Sequence, residues 1–244
     1  MLDGKRIVVT GAGRGIGRAI ALACLREGAV VGVHYRTSEE SARELERNHP
    51  GRVRLLRFDV RDPDTIAPAV SGFRESEGRI DGWVNNAGIV LPSLLMTADV
   101  DRIRALLDVN LLGPILCARA VLPIMLRQRC GVILNVGSVA AERPLPGQSV
   151  YAAAKGGVEA LTRALAVEYG RKGIRVHCLR PGPVDTPMLA SARALAEEAI
   201  LSRTPLRRIG RPEEVAEMAV FLLGDRASFV TGSIHTIDGG YVQG

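Results

Sequence analysis

The chain is poor in aromatic residues, which make up 4% of its 244 positions and include a single tryptophan. It is also poor in cysteine, with four. Few aromatics, and basic residues scattered rather than clustered, argue against nucleic-acid binding even though the formal net charge is +6 and the pI is near 9.5. A milder consequence of that charge is affinity for an anionic ligand or an acidic partner. Cys24, Cys117, Cys130 and Cys178 show no zinc or redox spacing, and His34, His49, His177 and His235 show no ligand spacing. No metal site is therefore expected, and the thiols read as free and buried. Long uninterrupted apolar runs are scarce as well. The most apolar stretch, 109–126, is broken by Asn110, Gly113, Pro114, Arg119 and Pro123, and residues 1–6 hold no apolar signal segment. That predicts a cytoplasmic protein outside the membrane.

Against these absences stand 47% hydrophobic residues, enough for a sizeable core without disulfides or repeats. No linker or shift of composition divides the chain, so residues 1–244 read as one domain. Short β-branched runs at 7–10, 30–33, 53–58, 83–84, 132–136, 174–179 and 233–237 read as strands, apolar enough to be buried on both faces. Between them, 15–27, 38–48, 63–77, 99–110, 114–129, 150–171 and 212–223 repeat apolar residues at helical steps. The alternation predicts an α/β fold, a parallel sheet of about seven strands with helices on both faces. The stretch 187–211 reads as a helix and loop beyond the sixth strand, where open α/β sheets place ligands.

Chemistry concentrates at a few points. After the first strand comes Thr10-Gly11-Ala12-Gly13-Arg14-Gly15-Ile16-Gly17, opening into a helix. Glycines permit a tight turn and close approach of a pyrophosphate, which the helix N-terminus attracts. At the end of the second strand, dinucleotide sites selective for NAD carry a carboxylate; here Tyr35 stands in its place, followed by Arg36. With Arg14, Arg36 is suited to a 2′-phosphate, which predicts NADPH over NADH. Further on, Tyr151 and Lys155 are one helical turn apart, with Ser138 upstream. An ammonium about 4 Å from the phenol, at an effective dielectric near 20, favours phenolate by ~4 kcal/mol. Tyr151 is thus expected to have a lowered pKa and to act as a general acid, with Ser138 polarising a carbonyl.

These residues resemble the short-chain dehydrogenase/reductase family over nearly all of 4–241. The likeness takes in the glycine turn, Asp59-Val60, Asn85-Asn86-Ala87-Gly88, Asn110, Ser138, Tyr151, Lys155, Pro181-Gly182 with Thr186, and Asp238-Gly239-Gly240. It implies a Rossmann-like doubly wound sheet and a catalytic set of Asn110, Ser138, Tyr151 and Lys155, with Asn110 helping to hold a relay water. It also implies that Asp59 and Val60 border the adenine, Asn86 to Gly88 line the adenosine, and Pro181, Gly182, Val184 and Thr186 hold the nicotinamide together with Lys155. Within the family the chain is most similar to 3-oxoacyl-(acyl-carrier-protein) reductases, through Gly147-Gln148-Ser149-Val150 before Tyr151, Leu94-Leu95-Met96, and Gly210-Arg211-Pro212-Glu213-Glu214. That implies reduction of a β-ketoacyl thioester, with Arg129 and Lys172 matching carrier-docking positions, and a homotetramer. Two departures, Ile89-Val90-Leu91-Pro92 and His177, keep open another small ketone, sugar, polyol or aromatic alcohol as substrate, whereas the intact catalytic set argues against a non-catalytic nucleotide sensor. Met188, Leu189, Leu195, Ile200 and Leu206 read either as a lid over an acyl chain or as a buried helix stripe.

Overall fold

The strands β1 (Arg6–Val9), β2 (Val30–Tyr35), β3 (Val53–Arg57), β4 (Gly82–Asn85), β5 (Gly131–Val136), β6 (Ile174–Pro181) and β7 (Ile234–Ile237) pair in parallel, in the order β3-β2-β1-β4-β5-β6-β7. The structure is a computed structural model that describes the backbone of residues 1–244 and all side chains except those of 191–196. The helices are α1 (Gly15–Arg26), α2 (Glu39–Asn48), α3 (Pro63–Glu77), α4 (Val100–Leu107), α5 (Gly113–Gln128), α6 (Ser149–Tyr169), α7 (Ala190–Arg203) and α8 (Pro212–Leu223). Successive strand residues point to opposite faces and both faces are apolar. Ile7, Val9, Val31 and Val33 pack under Ile20 and Leu25 of α1 and Val215 and Val220 of α8. Val8, Trp83, Ile133 and Val176 pack under Phe73 of α3, Val121 and Met125 of α5, and Leu165 of α6. Each such side chain, fully buried, contributes roughly 1.5–3 kcal/mol, so the two helical layers are held by the sheet between them.

Strand order reverses between β2 and β4, the two neighbours of β1, so the loops leaving β1 and β4 diverge above the sheet and open a crevice. Three strands run further than the apolar pattern predicts. β2 continues to Tyr35, β4 to Asn85 and β6 to Pro181, because these residues still find register partners in Arg57, Asn135 and Ile237. The larger difference is at 108–112. A helix ending at Asn110 is expected; instead α4 passes through a π-helical turn, Asp108–Leu112, straight into α5. Pro114 sits in the first turn of α5, where its missing N–H costs nothing, and Pro123 is carried inside the helix. The resulting Val100–Gln128 segment is therefore long and apolar enough, by length and composition, to cross a membrane, contrary to the expectation that its prolines and glycine interrupt it. In the fold 56% of that apolar window is buried. Cys24, Cys117 and Cys178 are buried free thiols as expected, whereas Cys130 is half-buried and accepts a hydrogen bond from Arg79.

A polar chain crosses the centre of this apolar interior. The Trp83 indole donates to Asn85 Oδ1 at 2.8 Å, Asn85 Nδ2 donates to Asn135 Oδ1 at 2.8 Å, and Asn135 Nδ2 donates to Thr162 Oγ1 at 2.9 Å. Asn85 and Asn135 are register partners on β4 and β5, and Thr162 lies on α6, so the chain fixes that helix against the two central strands. Every member is satisfied, which is the condition for a buried polar group to be tolerated. Asn135→Ala leaves the Asn85 amide only its long 3.5 Å bond to the Pro114 carbonyl and is expected to cost about 2–3 kcal/mol in urea unfolding followed by Trp83 fluorescence. An unchanged midpoint and an unchanged emission maximum would show that the chain does not hold α6.

Candidate active site

The site grows from the turn between β1 and α1. Gly11 and Gly15 have φ of +65° and +55°, the left-handed region that favours glycine. The glycines also admit three other loops. A methyl group on Gly11 would lie 3.0 Å from Ala87 Cα, one on Gly13 2.9 Å from Ser38 Cβ, and one on Gly15 3.2 Å from Thr186 Cγ2, while one on Gly17 would overlap the Asn86 amide. The loops after β2, β4 and β6 therefore close directly onto the turn. Asn86 Nδ2 donates to the carbonyls of Thr10 and Gly11 at 2.9 and 3.2 Å, and Thr10 Oγ1 accepts the N–H groups of Asn86 and Ala87. Asn86 thus faces the turn itself.

Sequence reasoning passed over His34 as part of this turn. Its Nδ1 accepts the Gly11 N–H at 2.9 Å, so the proton is on Nε2, which donates to the Phe58 carbonyl at 3.0 Å. Burial pushes its pKa down to about 4, keeping the ring neutral. The available signal was its place next to the end of an apolar strand, where an imidazole needs two partners.

What the turn offers a ligand is clear by contrast. Asp62 caps α3 and Asp99 caps α4, but no side chain caps α1 and its first turn holds no acid. The N–H groups of Gly15, Ile16 and Gly17 are left for an anion such as a pyrophosphate. Nearby, Arg14 and Arg36 are exposed, and the Asp59 carboxylate is gripped by Arg61 at 2.6–3.1 Å and approached by Arg36 at 3.5 Å. The Arg61 guanidinium holds the Asp59 carboxyl well below the usual carboxylate range. This rim is basic, with its carboxylate already neutralised. Two residues expected at the rim turn inward: Tyr35 is 7% exposed within the core, and Val60 packs at 3.0 Å against the place a Gly113 methyl would take.

Beyond β5, Ser138 caps the short turn Val139–Ala141, its Oγ accepting the Ala140 N–H at 3.1 Å. Tyr151 and Lys155 stand on the first two turns of α6, with the phenol close enough to Ser138 for the serine hydroxyl to act on its proton. Lys155 is buried and donates to the Val136 carbonyl at 2.8 Å. Its Nζ lies 5.7 Å from the Tyr151 ring centroid. The lowered Tyr151 pKa expected from helical spacing is not found. Burial raises it, and the Ser138 hydrogen bond opposes that rise only in part. The ammonium is turned toward Val136, and its own pKa falls to about 8 by burial. Asn110 is wholly buried in the π-turn: Nδ2 donates to the Ile89 and Leu106 carbonyls and Oδ1 accepts the Ile89 N–H. A methyl on Gly88 would lie 2.7 Å from Asn110 Oδ1 and 3.8 Å from Lys155 Nζ, so Gly88 is drawn in beside both.

A family model described as Enoyl-(Acyl carrier protein) reductase, one of the short-chain dehydrogenase/reductase models, matches residues 11–242. The chain is a short-chain dehydrogenase/reductase. It is 41% identical to the 3-oxoacyl-[acyl-carrier-protein] reductase FabG of Thermotoga maritima over 99% of each chain. It is also 39% identical to 3beta-hydroxysteroid dehydrogenase 1 of Eggerthella lenta, over 98% of this chain and 94% of that one. Among solved structures, a gluconate 5-dehydrogenase from Burkholderia cenocepacia in complex with NADP and tartrate superposes with a TM-score of 0.94 at 33% identity, over 100% of this chain and 97% of that one.

In this short-chain dehydrogenase/reductase, Gly182 is pressed against Asp238, Val184 is buried and bridged to Gly210, and the Thr186 hydroxyl donates to the Val184 carbonyl at 3.2 Å. A crevice of about 20 Å³ flanks Tyr151, lined by Leu91, Ile103, Leu106 and Val150 with Arg102 at its rim. A larger groove of about 450 Å³ between α3 and α5 contains none of the site residues. Met188 and Leu206 are exposed and Ile200 is buried, while the Leu195 side chain lies outside the described residues. Arg129 and Lys172 are exposed and come together, since Gly173 packs on the Arg129 carbonyl. They precede β5 and β6, at the opposite end of the sheet from Ser138 and Tyr151.

His34 gives this turn a pH dependence of known sign. Because its folded pKa lies below the unfolded 6.5, its stabilising contribution is complete above pH 6.5 and is lost as pH falls toward 4, about 3 kcal/mol in all. His34→Asn, which keeps an acceptor for the Gly11 N–H but does not titrate there, is expected to flatten the stability profile between pH 6.5 and 4 relative to wild type. Parallel profiles for the two proteins would remove His34 from this account.

Proposed function

We propose that residues 1–244 act as one catalytic unit that uses NADPH to reduce a β-ketoacyl group, carried as an acyl-carrier-protein or other thioester, to the β-hydroxyacyl product. The observation that carries this reading is a protonated phenol beside Ser138 and one helical turn from a buried ammonium, at the same sheet end as an uncapped glycine turn. The turn from Gly11 to Gly17, braced by Asn86, would hold the pyrophosphate, Arg14 and Arg36 the 2′-phosphate, and the rim of Asp59, Ala87 and Gly88, backed by the inward-turned Tyr35 and Val60, the adenosine. Lys155, Pro181, Gly182, Val184 and Thr186 would hold the nicotinamide end. Bound NADPH supplies a hydride to a carbonyl carbon.

The residues do the rest. The hydroxyls of Ser138 and Tyr151 donate to the carbonyl oxygen, and Tyr151 gives up its proton to it. Burial holds the phenol protonated, which suits reduction rather than oxidation, and the Lys155 ammonium offsets the negative charge left on Tyr151. Because that ammonium is held only up to about pH 8, reduction is expected to slow above it. Asn110 spends its side chain on Ile89 and Leu106, so its part is to hold the π-turn and Gly88 beside Lys155 rather than to offer its amide to a relay water.

A carrier seated on Arg129 and Lys172 is separated from the Tyr151 of the same chain by the length of β5, about 20 Å at roughly 3.3 Å per residue. A carrier docked there would have to deliver its acyl group across that distance or to the site of a neighbouring subunit in a cytoplasmic homotetramer. The relatives named for a steroid and a sugar acid favour a second reading, a dehydrogenase of another small ketone. An NADPH oxidation assay separates the two. Acetoacetyl and longer β-ketoacyl thioesters are expected to be reduced, and Tyr151→Phe is expected to lower kcat by about 10²–10⁴ while retaining NADPH binding. Preference for steroid or sugar ketones would select the second reading, and a fully active Tyr151→Phe would remove the acid. Arg36→Asp is expected to weaken NADPH by roughly 10–100-fold and to leave NADH unaffected or improved, measured by nucleotide fluorescence. Equal effects on both nucleotides would assign Arg36 no part in the choice.

A further inference from the structure

On α6 the sequence sets Tyr151, Lys155 and Glu159 four residues apart, along one face. The first two belong to the site; the Glu159 side chain, 7% exposed, lies beneath it. Its carboxylate receives both arms of Arg180, Nε to Oε1 at 2.7 Å and Nη2 to Oε2 at 2.8 Å. The remaining nitrogen, Nη1, donates to Glu142, the residue that ends the short turn capped by Ser138. Arg180 itself immediately precedes Pro181 and Gly182. One guanidinium therefore joins the Ser138 segment, the Tyr151 helix and the loop leaving β6. A methyl on Gly137 would lie 3.9 Å from Glu159 Oε1 and 2.8 Å from Cys178 Sγ, so the ion pair forms the floor under the Gly137-Ser138 bend.

A buried ion pair is a weak stabiliser, because desolvation offsets most of its attraction. Its distinctive property is geometric: the planar fork of arginine holds a carboxylate in one orientation. We propose that Arg180, through Glu159 and Glu142, is a positioning residue that sets the separation of Ser138 from Tyr151 and Lys155. Only the kinetic test of this proposal rests on the reductase reading.

The test uses the full chain. Arg180→Met alone strands a buried carboxylate, so it is paired with Arg180→Met/Glu159→Met, in which both partners become apolar at similar volume and folding is kept. In both proteins kcat is expected to fall by about 10²-fold, the effect of a misplacement near 1 Å, while KM and NADPH affinity stay near wild type. Arg180→Lys, which keeps the charge but loses the fork, is expected to fall likewise and serves if the double variant does not fold. A wild-type kcat in the double variant or in Arg180→Lys overturns the proposal. A second readout needs no turnover. The chain has three lysines, Lys5, Lys155 and Lys172, so a ¹³Cε-lysine spectrum of the nucleotide-free protein resolves Lys155. Should wild type reduce no carbonyl at all, the reductase reading fails and this spectrum decides alone: a displaced Lys155 signal in the double variant supports the clamp, and an unmoved one overturns it.

Discussion

The ammonium of Lys155 is buried, and the oxygen it donates to is the carbonyl of Val136, the last residue of β5. A buried charge without such a partner costs several kcal/mol, so α6 cannot slide along β5 without losing this bond. The first turn of α6, with Tyr151, is thereby held over the strand end from which Ser138 follows. The protonation state of the site descends from the same burial. Loss of water weakens the hold of Lys155 on its proton and strengthens that of Tyr151, so the resting site holds a protonated phenol beside an ammonium.

The nucleotide side is built by convergence. Because the strands are parallel, every loop that leaves a strand's C-terminal end emerges at one rim, and the reversal of order around β1 leaves room between them. The turn after β1 is then gripped from three directions: by His34 from β2, by Asn86 from beyond β4 and by Thr186 from beyond β6. Glycine is required there as much by these neighbours as by any phosphate. A turn so held needs no rearrangement to present its N–H groups, which is what pre-organisation of a binding site means physically.

Much of this was legible in the sequence, unevenly and for physical reasons. α3 and α8 match their expected bounds because each opens on a proline in its first turn, and α3 also closes on a left-handed Gly78. The glycine turn, Ser138, Tyr151 and Lys155 were readable because their spacing is itself the geometry. The π-turn at 108–112 was not, since it differs from an α-helix by one unit of hydrogen-bond register and leaves no periodic mark. The direction of the Tyr151 shift was misread for a related reason. Spacing puts Lys155 on the right face but does not say which oxygen its Nζ will find. Arg180 and Glu159 are 21 residues apart and meet only because β6 returns alongside α6, a contact no local pattern announces.

Substrate choice lies elsewhere than in this machinery. On the proposed reading, the acid, its hydroxyl partner and the nucleotide turn serve any ketone, and family relatives carry names for thioester, steroid and sugar-acid substrates alike. On that reading what differs faces the ketone from the side of the Tyr151 crevice, where Leu91, Ile103, Leu106 and Val150 are apolar and Ser93, Asp99 and Arg102 polar. An apolar wall discriminates weakly, by about 1–3 kcal/mol for each methylene that fits or fails to fit. On the proposed reading, selectivity for a carrier-borne chain comes instead from the carrier, through the proposed contact with Arg129 and Lys172. Such a division of labour between a permissive pocket and a distant charged contact would let one catalytic arrangement be kept while the substrate changes, because neither part constrains the other through the sheet.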